Sequence, residues 1–158
     1  MVDGAVVVTP SPRRWHQTVA RRLANVLEQA NAERYSVDTA VDRRLRDVPL
    51  LNRRPDIVVY DSSLPDDEVL RPHHCVLAIE IMSPGSVTVD RVHKPAEYAA
   101  GGIEHFWRAE IAENTRGLTV FRFRLDPEAK VYTAVGEDTG KLVTTEPFDV
   151  SISLDDLR

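Results

Sequence analysis

The run CVLAIEIM, residues 75–82, is apolar except for one carboxylate, Glu80, and it ends at the turn-forming SPGS. Such a run reads as a buried strand, which commits the chain to a sheet with a covered centre. Strand alternation puts Val76, Ala78, Glu80 and Met82 on one face and Leu77, Ile79 and Ile81 on the other. An isolated ionised carboxylate in a dry core carries a large desolvation penalty, so it must be paired, protonated or bound to a cation. Glu80 therefore needs a partner.

The rest of the sequence supplies the elements around that strand. After a short strand at Ala5 to Thr9 comes turn chemistry, then a helix whose apolar residues are Trp15, Val19, Leu23, Val26, Leu27 and Ala30, with arginines opposite. YSVDTAV and PDIVVYD read as strands, separated by a charged, irregular segment from Asp42 to Arg54. LPDDEVLRPHH is a polar, Pro-punctuated loop that feeds the central strand. A second helix is expected from about Asp90 to the Gly101/Gly102 pair, its first turn shortened or kinked by Pro95. IEHFWRAEI, LTVFRFRL and KVYTAV alternate apolar and polar residues as half-buried antiparallel strands. A short strand in DTGKLV and a C-terminal segment, PFDVSISLDDL, pack on the body. The order predicts an α/β fold of the α+β type, a mixed sheet flanked by a few helices.

Length and charge narrow the function. The 158 residues show no linker-like shift in composition, so one domain spanning 1–158 is expected. No apolar run approaches a membrane span, the N-terminus does not read as a secretory signal, and a cytoplasmic location is expected. The single cysteine, Cys75, excludes an intramolecular disulfide and a C-x-x-C metal motif. A net charge of −5 disfavours unselective coating of nucleic acid, while leaving room for a local basic groove. The arginine pairs Arg13/Arg14, Arg21/Arg22, Arg43/Arg44 and Arg53/Arg54 read as solvated surface.

Asp56 opens the strand PDIVVYD and shares its face with Val58 and Tyr60. If that strand neighbours the one bearing Glu80, the two carboxylates converge at a sheet edge and, with a strand-end carbonyl, outline a divalent-cation site. Hard oxygen donors of this kind suit Mg²⁺. Asp90, Lys94 and Tyr98 follow at i, i+4 and i+8, one helical stripe able to face the strand ends. Lys94 stands out because the chain has only three lysines among 20 basic residues. Where arginine is the default cation, a lysine suggests a compact ammonium with a specific task.

RPDIVVYD, VLAIEIMSPGS and DRVHKPAEYAAGGIEHFW, in this order, closely resemble the Uma-type putative restriction endonuclease family, a branch of the PD-(D/E)XK nuclease superfamily. The resemblance extends from DGAVVVTPSPRRWHQ to PFDVSISLDDL, and its specificity lies in the ordered set. It implies a restriction-endonuclease-like fold and a metal-dependent endonuclease that hydrolyses phosphodiester bonds in DNA. Asp56 and Glu80 would then ligate Mg²⁺, with Mn²⁺ as a substitute, and the Ile81 backbone carbonyl would add a third donor. The superfamily lysine normally stands two residues after the glutamate, where this chain has Met82. The resemblance makes Lys94 its replacement, supplied from the next helix. His16 matches a family position on the first helix. Many relatives carry a further segment before the equivalent of DGAVVV, so a shorter N-terminal side of the site is expected.

Plainer readings exist for each residue. Asp56 is also a turn former, Glu80 and Lys94 a structural ion pair, Asp90 an N-cap, Tyr98 a packing residue and His16 a satisfied core histidine. The corresponding alternatives are a nuclease-fold module that binds nucleic acid or a protein partner without turnover, and a structural homo-oligomer such as a homodimer.

Overall fold

The central run becomes β5 (Cys75–Met82), and every residue of it except Val76 is buried. It lies inside a six-stranded sheet of order β1-β4-β5-β6-β7-β8, built from β1 (Tyr35–Thr39), β4 (Ile57–Asp61), β6 (His105–Ile111), β7 (Leu118–Asp126) and β8 (Val131–Thr139). This is a computed structural model, and it describes residues 14–47, 50–82, 92–112, 115 and 117–158. The strand expected at Ala5 to Thr9, the SPGS turn and Asp90 lie outside the described residues.

The β5 and β6 strands run parallel, and all the other neighbouring pairs are antiparallel. Parallel neighbours need a crossover. Here the crossover carries helix α2 (Lys94–Gly101), which places Lys94 over the sheet. Pro95 falls in the first turn of α2, where its missing N–H interrupts no helical bond. Gly102 ends the helix in the left-handed conformation with φ 84°, which glycine adopts without a Cβ clash.

Each face of the sheet has its own cover. Helix α1 (Arg14–Ala30) packs Val19, Leu23 and Leu27 against Ile57, Ile79, Ile81 and Trp107. The β9 (Lys141–Thr144) and β10 (Val150–Ser153) hairpin closes the same core with Leu142 and Ile152. Full burial of residues such as Leu23 or Leu27 contributes about 1.5–3 kcal/mol each. On the opposite face, α2 lays Tyr98 against Val58, Ala78, Ile103 and Phe106. Among the described residues, no helix is long and apolar enough to cross a membrane.

The segment from Asp42 to Arg54 is not irregular as expected. It contains a hairpin of β2 (Arg43–Arg46) and β3 (Leu51–Arg53), with Arg43 opposite Arg53 and a register shift between Arg44 and Arg46. The physical reason is that these arginines do not all face water: Arg43 is fully buried and Arg53 is largely covered. Their polarity concealed a strand pattern.

Candidate active site at the ends of β4 and β5

The β4–β5 register, Ile57 opposite Ile79 and Val58 opposite Ala78, brings Asp56 level with Glu80. Asp56 precedes β4 and extends the ladder with its side chain, Oδ2 accepting from the Ile81 N–H at 2.7 Å. His16 arrives from α1. Its Nε2 lies 2.8 Å from the Ile81 carbonyl oxygen and 3.2 Å from Asp56 Oδ2. A carbonyl only accepts, so Nε2 carries the proton and points it at both oxygens. Burial alone would lower the His16 pKa, but the hydrogen bond and charge of Asp56, with the Ile81 carbonyl, raise it overall.

Across the strand, Glu80 is 2% exposed and receives two donors from α2. Lys94 Nζ lies 2.8 Å from Oε2, and the Tyr98 hydroxyl donates to Oε1 at 2.5 Å. Burial pushes the Glu80 carboxyl up to about 7, against the pull of the Lys94 ammonium, while the charge on Asp56 adds to the rise. Burial, and then the Glu80 charge, hold the Tyr98 phenol well above its ordinary value, so it stays a donor.

A second layer fixes α2 itself. The Arg53 guanidinium forks onto both carboxylate oxygens of Glu97, one residue before Tyr98. Arg43, its cross-strand partner, lies 5.0 Å from the centre of the Tyr98 ring. The β2–β3 hairpin thus grips two consecutive residues of the helix that presents Lys94.

Asp56, Glu80, Lys94, Tyr98, His16 and the Ile81 carbonyl, all anticipated from sequence, meet at this sheet edge. Asp90 falls outside the described residues. The donor chemistry, two carboxylates and a carbonyl oxygen, fits a hard divalent cation. Among the described residues, however, no three His, Cys, Asp or Glu side chains form a ready metal cluster. Both Glu80 oxygens face α2, and the His16 N–H engages the oxygens of Asp56 and Ile81 that a cation would use.

Sequence reading missed Arg43, Arg53 and Glu97. Glu97 lies three residues after Lys94, so a shared helical face was available as a signal. The arginines gave none, because their role depends on a hairpin disguised by charge.

The described residues thus form a mixed sheet with a carboxylate at the ends of two central strands and a lysine beside one of them. The family described as Uma2, "Putative restriction endonuclease", matches residues 1–155, and the chain belongs to it. Its class of function is nuclease-like. Among solved structures, the chain is similar to the "putative nuclease belonging to DUF820" from Anabaena variabilis ATCC 29413, with a TM-score of 0.72 and 18% identity over 99% of this chain and 87% of that one. At that identity the likeness establishes the fold, a mixed α+β architecture shared with that structure. No curated protein matches the chain.

Proposed function

We propose that this chain is a metal-dependent endonuclease that hydrolyses phosphodiester bonds in DNA, with Asp56, Glu80 and Lys94 at its centre. The observation that carries this reading is the 2.8 Å contact between Lys94 Nζ and Glu80 Oε2. It supplies from α2 the ammonium that the nuclease pattern sets two residues beyond the glutamate, where Met82 is buried instead.

Asp56, Glu80 and the Ile81 carbonyl would hold Mg²⁺ or Mn²⁺. When bound, such a cation supplies Lewis acidity toward a phosphoryl oxygen and acidifies a bound water. The protein's own groups do the rest. Lys94 donates hydrogen bonds to the attacking water or to the charge that develops on the phosphoryl oxygens. Tyr98 keeps Glu80 oriented and shielded. Because Glu80 ionises only near pH 7, it must shed its proton before its oxygens serve as full ligands. His16 must give up the Ile81 and Asp56 oxygens or turn a deprotonated nitrogen to the same place.

The test uses plasmid and linear DNA with Mg²⁺ or Mn²⁺. Glu80→Gln keeps the size and one acceptor oxygen, removes the charge and sets an amide N–H₂ against Lys94 or Tyr98, and should lower cleavage by at least about 100-fold in protein that remains folded. Undiminished cleavage by folded Glu80→Gln protein would overturn the assignment. A second reading draws on the same contacts: Lys94 and Tyr98 already satisfy both Glu80 oxygens, as a binding module without turnover would require. Salt-sensitive retention of DNA with no cleavage under either metal would favour it.

A further inference from the structure

One strand away from Glu80, on the same face of the sheet, lies a cavity of about 270 Å³. Register sets Arg108 of β6 opposite Glu80, and Arg108 forms the near rim. Pro95 and Ala96, the two residues after Lys94, form one wall, while the half-buried Phe123 and Tyr132 form the floor, backed by the buried Phe106. The buried Phe106 supports both floor rings, lying 5.7 Å from Phe123 and 5.5 Å from Tyr132 between ring centres. The Arg108 guanidinium lies 4.7 Å from the Phe121 centre and 5.3 Å from that of Phe123, and an ion pair with Glu110 at 2.7 Å tethers it. Lys130, exposed at the far rim, adds a second cation.

An aromatic floor between two cations, beside an ammonium and a buried carboxylate, suits a flat, uncharged ring carried on an anionic backbone. We propose that this cavity receives one unpaired nucleobase of a DNA strand, next to the phosphate engaged at Lys94. The inference rests on the nuclease reading and deepens it. A paired base is stacked inside its duplex and unavailable to such a cavity, so the substrate is single-stranded or locally opened. The Tyr132 hydroxyl already donates to the Ile103 carbonyl at 2.7 Å, so its ring face is what it offers a base, and the reading rests on stacking. Binding by stacking is tolerant of sequence, since every base offers a π-face.

The test measures binding without metal, in the Glu80→Gln background, using a short DNA oligonucleotide that carries 2-aminopurine. Its fluorescence should be quenched by stacking when the strand is single, and left unchanged when the same strand is annealed to its complement. Lys130→Glu reverses a charge and Ala96→Trp fills the cavity mouth, both at exposed positions where the fold is retained. Each should weaken single-strand binding about tenfold, the size of one lost base stack. Equal quenching of single and double strands, or parent-like binding by both variants, would overturn the subsite. The latter result, with Glu80→Gln alone abolishing cleavage, would leave the nuclease reading intact. Quenching that the variants abolish, in a parent protein that cuts no DNA with Mg²⁺ or Mn²⁺, would support the subsite and overturn the nuclease reading.

Discussion

The two sides of β5 treat their carboxylates differently. On the α2 side, Glu80 is 2% exposed and its partner Lys94 17%. On the α1 side, Asp56 keeps 25% of its side-chain exposure beside a His16 that keeps 9%. Glu80 is thus stripped of water and answered by a fixed ammonium and a phenol, whereas Asp56 remains partly hydrated and is answered by an imidazole and a backbone N–H. Loss of hydration raises the pKa of Glu80. The drier side is poised to exchange a proton near neutral pH, and the wetter side offers an oxygen that a cation could reach first.

Removing the partner on the dry side should have the larger effect. Lys94→Met keeps the length and apolar stem of the side chain but removes the ammonium from Glu80 and leaves the Tyr98 donor in place. DNA cleavage should fall by about 100-fold or more. Stability at pH 8 should fall as well, because breaking a buried pair strands the remaining charge. His16→Gln on the wet side can still donate to the Ile81 carbonyl and should cost cleavage only several-fold. A Lys94→Met protein that cuts like the parent while His16→Gln is dead would invert the comparison and move the chemistry to the α1 side.

How much of this was legible in the sequence follows from the range of each signal. The strand, its two faces and the misfit of Glu80 follow from local alternation, Lys94 and Tyr98 share a helical stripe, and the tie between that stripe and Glu80 came from the family resemblance. Asp56 needed one assumption beyond local pattern, that its strand neighbours β5, and the register bears it out. The hairpin from Arg43 to Arg53 was illegible for the converse reason. A guanidinium buried over a tyrosine ring and another forked onto a helix carboxylate look, in sequence, like solvated charge, and only tertiary packing distinguishes the two.

The same contrast has a pH signature. Glu80 moves from 4.5 to about 7 on folding, so between those values the folded protein holds a proton that the unfolded chain has released. Stability from this group is therefore lost as pH rises across that window, by on the order of 3 kcal/mol. His16, with its pKa raised by Asp56 and Ile81 against burial, stabilises fully below 6.5, and that contribution is lost as pH climbs through the folded value. Both slopes run the same way, but the windows differ. Melting temperatures should fall less between pH 5 and 7 in Glu80→Gln than in the parent, and less above pH 6.5 in His16→Gln. Mn²⁺ should raise the melting temperature more at pH 8 than at pH 5.5, since a cation binds the ionised carboxylates. Identical pH profiles for the parent and Glu80→Gln would show that the dry side does not exchange its proton in this range.

The smallest expected effect separates holding the helix from doing the chemistry. Arg53 and Glu97 are 13% and 23% exposed, so their pair is partly shielded from water, and its loss in Arg53→Gln should cost about 1–2 kcal/mol of stability. If the hairpin acts by aiming α2, Lys94 is then presented less accurately, and kcat should drop a few-fold with little change in KM. Arg53→Lys restores the charge but not the planar fork that meets both Glu97 oxygens, so it should recover only part of the stability and of kcat. A loss confined to KM would instead make Arg53 a contact for DNA, and a loss of stability with unchanged kcat would make the hairpin a brace with no bearing on Lys94.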